Sequence, residues 1–247
     1  MKIANNCLQL DVGNSSAKWR LLQAGGVAAR GRYVSGDEDS LADLMASTDT
    51  LQQVWVSSVA SPRAEQELTR LVADKWGVQP WFARTCAETD GLVNSYADPT
   101  RMGVDRWLAM LAARRHIDGR LCVVDAGSAL TIDIVSADGQ HEGGYIIPGP
   151  ALMERALLLD TDRVRFEEGA GYELSPGRST AEAVRHGIAL AQTGSVCLVL
   201  DKMNLASDQL ILCGGGGEAL HGLLAGAGVF WPDLVFEGLG LMAAREP

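Results

Sequence analysis

The chain contains 247 residues, of which 47% are hydrophobic, and its formal net charge at pH 7 is −10. This length suits one large domain or two small ones with substantial cores. An acidic chain without a cluster of lysines and arginines is not expected to bind nucleic acid, because such binding needs basic patches that replace the counterions of the phosphates.

The cysteines and the apolar segments indicate the compartment. The five cysteines are odd in number and widely spaced, without the Cys-x-x-Cys pairs of a zinc site, so reduced thiols are expected. The segment Met1 to Asn6 has no apolar signal core, and no stretch reaches the ~18 uninterrupted apolar residues of a membrane span. The sequence therefore predicts a soluble, cytoplasmic protein without a membrane partner.

The first predicted element is a strand that ends at Asp11. A turn through Gly13 follows, and in the next strand apolar Ala17 and Trp19 alternate with polar Lys18. The elements predicted next are a strand at Val27 to Ser35, a helix at Asp39 to Ala46, a strand at Leu51 to Val59 and a helix from Ser61 to Trp76. This order contains too many strands for alternating βα units, so it predicts a mixed sheet.

Residues 86–103 lose periodicity and are predicted to form a loop, whose length alone suggests a functional role. Apolar residues then recur at helical spacing, which predicts a helix from Gly103 to His116 with Trp107 in the core. Asp105 and Arg106 lie in its first turn, off the apolar stripe. Taken singly, they are explained by a carboxylate favoured at a helix N-terminus and by a solvated surface charge.

The second half opens with an apolar strand, Leu121 to Val124, that leads into Asp125 and then into an alternating strand. The small residues Gly127 and Ser128 let backbone N–H groups point at an anion. The carboxylates of Asp125 and Asp133 are candidates to hold a cation that bridges to this anion. The pattern predicts a corner that binds phosphate and metal.

The Asp-x-Gly turn thus occurs twice, at Asp11 and at Asp125. Either one alone is better explained as a turn aspartate that caps its own backbone. Two of them, each between two strands and each opening about half of the chain, predict a duplicated fold with a nucleotide between the halves.

The remaining predicted elements are a glycine-rich turn at Gly139 to Gly144, a helix from Ala151 to Leu159, irregular residues 160–178, a long helix from about Ser179 to Asn204, a strand from Gln209 to Cys213 and a helix from Glu218 to Ala225. Four glycines, Gly214 to Gly217, join the last strand to the last of these helices. They allow the backbone to approach a ligand closely, although no Lys-Ser/Thr follows to make a P-loop.

These motifs resemble the type III pantothenate kinases, which belong to the acetate and sugar kinase/heat-shock ATPase/actin superfamily. The specific part is Asn94-x-Tyr96 followed by Gly103-x-Asp105-Arg106, since Asp-x-Gly corners occur throughout the superfamily. The resemblance implies an α/β fold of two ribonuclease H-like domains, with mixed sheets flanked by helices and a nucleotide cleft between them. The implied domains are residues 1–116 and 117–247, and the last helix is free to pack back on the first domain.

The resemblance also implies a role for each motif, with Asp105 as the catalytic base and Asp125 as the ligand of a monovalent cation, K⁺ or NH₄⁺. Residues that would hold the phosphates of Mg²⁺-bound ATP are Asp11, Val12, Gly13, Asn14, Ser15, Ser16, Ala17, Lys18 and Ser128. Residues that would hold pantothenate are Tyr96, Gly103, Val104, Asp105, Arg106 and Thr180. A homodimer is implied, because the family builds the pantothenate site with help from the dimer interface.

The predicted function is therefore ATP-dependent phosphorylation of pantothenate, the first step of coenzyme A biosynthesis. The sequence departs from the family at Ser128 and at Cys213, where threonine is usual. Two alternatives stay open at this point. One is another small-molecule kinase or phosphohydrolase of this fold, such as a sugar kinase or an exopolyphosphatase, and the other is a non-catalytic nucleotide-binding regulator.

Overall fold

The computed structural model describes residues 6–13, 16–34, 36–160 and 170–245. These residues form two compact units. The first comprises the described residues up to Asp90, Tyr96–Ala112 and those from Leu234 onward, and the second comprises Gly91–Ser95 and Ala113–Asp233. The division of the chain into domains at residues 116 and 117 stays a prediction.

The described strands, in chain order, are β1 (Asn6–Val12), β2 (Ala17–Gln23), β3 (Gly26–Tyr33), β4 (Gln53–Ser58), β5 (Trp81–Phe82), β6 (Glu88–Thr89), β7 (Leu92–Val93), β8 (Leu121–Ala126), β9 (Ala129–Val135), β10 (His141–Pro148), β11 (Leu210–Cys213) and β12 (Val229–Phe230). The α-helices are α1 (Glu38–Ala46), α2 (Pro62–Trp76), α3 (Val104–Ala113), α4 (Pro150–Asp160), α5 (Thr180–Lys202), α6 (Gly217–Leu223) and α7 (Leu234–Ala243).

The two five-stranded sheets have the same topology. The first has the order β3-β2-β1-β4-β5 and the second the order β10-β9-β8-β11-β12. In each sheet the first three strands pair antiparallel and the last two join in parallel. The predicted mixed sheets are confirmed, and the equal strand orders agree with the duplication inferred from the two Asp-x-Gly turns.

The core of the first unit lies between its sheet and the helices α1 and α2. Alternate strand residues such as Leu10, Trp19 and Val56 point into it, together with Leu44 of α1 and Leu68 of α2. Helix α2 starts where predicted, with the Ser61 hydroxyl accepting the Ala64 N–H at 3.3 Å. It ends at Gly77, whose φ of 68° suits glycine.

Helix α7 contacts β1 and β4 in the first unit. The Arg20 Nε donates to the Gln9 Oε1 at 2.6 Å, and the Gln9 amide donates to the Phe236 carbonyl of α7 at 3.4 Å. The Arg20 guanidinium carbon also lies 4.9 Å from the Phe236 ring centroid. The backbone of α7 approaches α3 so closely that a Cβ at Gly238 would lie 2.1 Å from the Leu108 carbonyl oxygen. The polar side of β1 and β2 is therefore covered by a helix.

The second unit repeats this construction. Alternate residues of its sheet pack with Val196 and Val199 of α5 and with Leu220 of α6. Helix α5 is long and apolar enough to span a membrane by length and composition alone, but a core helix passes the same test. Its buried residues in the core, and the Gln192 amide that donates to the Pro148 carbonyl at 2.9 Å, are typical of such a core helix.

Three predicted segments differ from the structure by more than two residues at an end or in the elements that they contain. The glycine-rich turn predicted from Gly139 to Gly144 is wrong, because the turn closes between Ser136 and Gln140 and β10 already starts at His141. A bulge after His141 lets the strand continue through the two glycines. The loop 86–103 contains β6, β7 and a 3-10 helix, Pro99–Arg101, and helix α3 ends at Ala113 rather than at His116.

Candidate active site

The first acidic corner is the β1–β2 turn, residues 11–18. Asp11 lies at the end of β1 opposite Lys18 of β2, and the Gly13 N–H donates to the Ser16 carbonyl at 3.1 Å to close the turn. The hydroxyl of Ser57, a fully buried residue of β4, donates to the Asp11 Oδ1 at 2.9 Å. Ser57 was missed from the sequence, because only the pairing of β1 with β4 brings it beside Asp11.

Most of the residues predicted to hold ATP phosphates in the first half are brought together at this corner. Val12 and Ala17 are a Cα pair of the two strands, next to the Asp11 and Lys18 pair. Asn14 and Ser15 lie outside the described residues, so their predicted roles stay predictions.

The second acidic corner is the β8–β9 turn, residues 125–129, in the second unit. The Gly127 N–H donates to the Ala129 carbonyl at 2.9 Å, and the Ser128 carbonyl accepts the Gly149 N–H at 3.0 Å. Gly214, which follows β11, has a φ of 89°, and a Cβ there would lie 2.2 Å from the Asp125 Oδ1. Glycine is required at this position, since any side chain would collide with the carboxylate.

Asp133 does not join Asp125 at this corner. It lies 1% exposed in the sheet, and its Oδ1 is 3.0 Å from the His141 Nε2. Cys213, which directly precedes the four glycines, is 1% exposed.

Asp125 and the backbone carbonyls near it are the candidate cation ligands of this corner. Among residues 6–13, 16–34, 36–160 and 170–245, no three His, Cys, Asp or Glu side chains are grouped to hold a metal ion. One carboxylate with nearby backbone carbonyls offers oxygen ligands of low total charge. Mg²⁺ is usually held by one or two carboxylates and the substrate phosphates, so these residues fit Mg²⁺ that arrives with ATP.

A third group of predicted residues lies at the start of α3 in the first unit. The half-buried Asp105 accepts the Arg106 backbone N–H on its Oδ1 at 2.8 Å. Gly103 gives this carboxylate room, since a Cβ at Gly103 would lie 2.5 Å from the Asp105 Oδ1. The carboxylate is thus fixed at a helix N-terminus, where its negative charge is favoured.

Arg106 is not a solvated surface charge. It is only 5% exposed, and its Nη1 donates to the Tyr96 hydroxyl at 2.9 Å. Its guanidinium carbon lies 5.8 Å from the Tyr96 ring centroid. The structure therefore places the Arg106 guanidinium against the Tyr96 phenol, and Gly103, Val104 and Asp105 directly precede Arg106 at the start of α3.

Thr180, the remaining residue predicted to hold pantothenate, is the first residue of α5 in the second unit. Its side chain is exposed, and the preceding Ser179 caps the helix by accepting the Glu182 N–H at 3.2 Å. Thr180 and the second acidic corner lie on different elements of that unit, because Thr180 starts helix α5 and Asp125 and Ser128 lie at the β8–β9 turn.

Comparison with known proteins identifies the family. The sequence profile described as type III pantothenate kinase matches residues 7–202. Proteins named type III pantothenate kinase from Hahella chejuensis and Ectopseudomonas mendocina are 37% and 40% identical to this chain. These alignments cover 97% and 95% of this chain, and 98% and 97% of the relatives.

Among solved structures, a Baf family protein from Campylobacter jejuni matches with a TM-score of 0.62 at 21% identity, covering 96% of this chain and 98% of that one. This likeness shows a common fold. Since the family profile spans most of the residues and the sequence relatives span nearly all of them, the chain belongs to the type III pantothenate kinase family.

Proposed function

We propose that the chain phosphorylates pantothenate from ATP with Asp105 as the catalytic base. Type III pantothenate kinases carry out the first step of coenzyme A biosynthesis. The observation that carries the assignment is the group at the start of α3, where a carboxylate is fixed by the Arg106 N–H beside the Arg106 and Tyr96 pair. Pantothenate offers a hydroxyl to the carboxylate, and a carboxylate of its own to the guanidinium.

The two acidic corners would serve ATP. The ammonium group of Lys18 and the Ser128 hydroxyl are donors of the kind that phosphate oxygens require. Ser128 keeps the hydroxyl of the usual threonine. Cys213 is buried and offers no comparable donor, so adenosine recognition near the glycines would rely on the backbone.

In this proposal Asp105 accepts the proton late. The phosphoryl-transfer transition state is loose and carries most of its charge on the phosphate oxygens, so positioning and electrostatics dominate catalysis. The ordinary aspartate pKa of ~3.9 lies far below that of an alcohol. Asp105 therefore aligns the hydroxyl first and takes its proton as the bond to phosphorus forms.

A charge-removing substitution tests the role of Asp105. Asp105→Asn keeps an oxygen that can accept the Arg106 N–H, so the fold should lose at most ~1 kcal/mol of stability. If Asp105 is the base, the substitution removes the proton acceptor, so kcat should fall by about 10²–10⁴-fold while ATP binding is retained. Asp98→Asn is the matched control, because Asp98 is an exposed aspartate in the same segment that caps the 3-10 helix through the Thr100 N–H.

A folded Asp105→Asn enzyme that phosphorylates pantothenate within a few-fold of the parent rate would refute this role. The same ADP-release assay, run with pantothenate and with a panel of sugars and polyphosphate, separates this function from that of another small-molecule kinase. A regulator without turnover would release no ADP with any of these acceptors.

The proposed enzyme works as a homodimer. Support comes from large apolar side chains that are exposed in the second unit, on β10, α4 and α5, such as Ile146 at 64%, Leu159 at 70% and Leu190 at 62%. A second protomer that covered them would remove this area from water. Light scattering should report a dimer, and a mixture of inactive Asp105→Asn and inactive Thr180→Arg chains should regain activity. A fully active monomer would contradict it.

A further inference from the structure

Three polar side chains of the second unit form a hydrogen-bonded row that has no role so far. The His141 Nε2 is 3.0 Å from the Asp133 Oδ1, and the His141 Nδ1 is 2.8 Å from the Ser95 hydroxyl oxygen. The side chains of His141 and Asp133 are 0% and 2% exposed. Ser95, in contrast, is exposed at the other end of the row.

The row has a defined direction. An ionised carboxylate can only accept, so the His141 Nε2 carries the proton that it donates to Asp133. In the neutral ring the Nδ1 is then an acceptor, and the Ser95 hydroxyl donates to it. Because both ring nitrogens are bonded inside the protein, the imidazole cannot turn without breaking a buried hydrogen bond.

The backbone around Ser95 is bound to the same hairpin that carries His141. The Val93 N–H donates to the Gly139 carbonyl at 2.9 Å, and Val93 forms a parallel bridge with Gln140. At Gly139, where φ is 93°, a Cβ would lie 2.0 Å from the Gly91 carbonyl oxygen. Residues 91–95 are therefore held on the β9–β10 turn by close backbone packing and by the side chain of His141.

Ser95 immediately precedes Tyr96, whose hydroxyl accepts from Arg106. We propose that His141 is a positioning residue whose hydrogen bond with Ser95 fixes the start of the Tyr96 segment for pantothenate binding, while its bond with Asp133 serves stability. This inference rests on the proposed role of Tyr96. The row would affect the KM for pantothenate through Ser95, and His141 itself would not contact the substrate.

Two substitutions of His141 separate positioning from mere stability. An asparagine side chain ends where the Nδ1 lies, so His141→Asn leaves an acceptor for Ser95 and gives up the bond to Asp133. A glutamine side chain reaches the position of the Nε2, so His141→Gln keeps the donor to Asp133 and gives up the bond to Ser95. The buried Asp133 should make His141→Asn the less stable of the two.

The expected orders of stability and affinity are opposite. His141→Gln should have a higher melting temperature than His141→Asn. It should nevertheless raise the pantothenate KM by about tenfold, which is the effect of losing one net hydrogen bond. Its KM for ATP should stay within about twofold of that of the parent. His141→Asn should keep a pantothenate KM near that of the parent. If the KM follows the melting temperature in both variants, or if His141→Gln leaves it unchanged, the inference is wrong.

Variants of Ser95 test the row at its exposed end, where folding is least at risk. Ser95→Ala should raise the pantothenate KM as much as His141→Gln does, and the double variant should raise it no further. Ser95→Thr keeps the hydroxyl, so its pantothenate KM should equal that of the parent. An unchanged KM in Ser95→Ala, when the parent enzyme phosphorylates pantothenate in the same assay, overturns this inference alone. A parent that does not phosphorylate pantothenate overturns the proposed function instead.

Discussion

Replacing Gly103 with alanine should damage catalysis while leaving stability almost unchanged. Gly103 does not have a positive φ, so alanine is allowed by the backbone. The new Cβ would lie 2.5 Å from the Asp105 Oδ1, whereas its next contact, with the Val59 Cγ1, is an ordinary 3.7 Å. The carboxylate must therefore rotate to another rotamer and release the Arg106 N–H.

The size of both effects follows from this geometry. Gly→Ala stabilises a compatible site by about 0.4–1 kcal/mol through the unfolded chain, and the lost hydrogen bond costs about 0.5–1.5 kcal/mol. The net change in the free energy of unfolding should lie between about −1 and +0.5 kcal/mol. A displaced catalytic group costs about 10²-fold for about 1 Å of misplacement, so kcat should fall by at least that factor.

Coupled ADP release and urea unfolding measure the two quantities on one preparation. Gly222→Ala is the control, since Gly222 is an exposed position of α6 with no atom within 4 Å of the added Cβ. It should gain up to about 1 kcal/mol of stability and keep full activity. A Gly103→Ala enzyme with a kcat within a few-fold of the parent would show that the position of the Asp105 carboxylate does not limit the reaction.

Three further outcomes are expected. A thiol reagent should modify exposed Cys86 in the native protein and reach the buried Cys7 and Cys122 only on unfolding, because burial raises the pKa of both thiols to about 12. Hydrogen bonding to Arg185 lowers the pKa of the Glu154 carboxyl, so Glu154→Gln should lower the melting temperature at pH 7 by about 2–4 °C. That difference should be complete above the unfolded glutamate pKa of ~4.3 and vanish as the pH falls through the lowered pKa of the folded state, which acid melting curves would show. Replacing Na⁺ by K⁺ or NH₄⁺ should raise activity and Asp125→Ala should abolish that response, whereas equal rates in all three salts would contradict the cation assignment.

The sequence predicted the elements whose signals are local. The strands around Asp11 and Asp125, the capped start of α2 and the apolar stripe of α3 all follow from periodicity and turn chemistry, and the structure has them. The prediction of a turn from Gly139 to Gly144, where β10 lies, was wrong for a physical reason. Glycines read as a turn, but antiparallel pairing with β9 and one bulge carry a strand through Gly143.

The contacts that the sequence could not predict join residues far apart in the chain. Arg106 looked solvated because its partner Tyr96 lies in an irregular segment, where spacing gives no direction to a side chain. Ser57 reaches Asp11 only through the parallel pairing of β1 and β4. Such partners are determined by tertiary packing. The hydrophobic period and the residue propensities of a sequence do not report it.

The packing of α7 on β1 and β4 means that the first unit cannot be complete until the end of the chain has been synthesised. The ribosome delivers β1 and β4 early, but the helix that covers them emerges only after Asp233. Residues 113–233, which make up nearly all of the second unit, are contiguous and leave the ribosome before α7 does. The unit that starts first is thus the one that finishes last, and until α7 arrives, the sheet face that carries Gln9 and Arg20 lacks the helix that covers it.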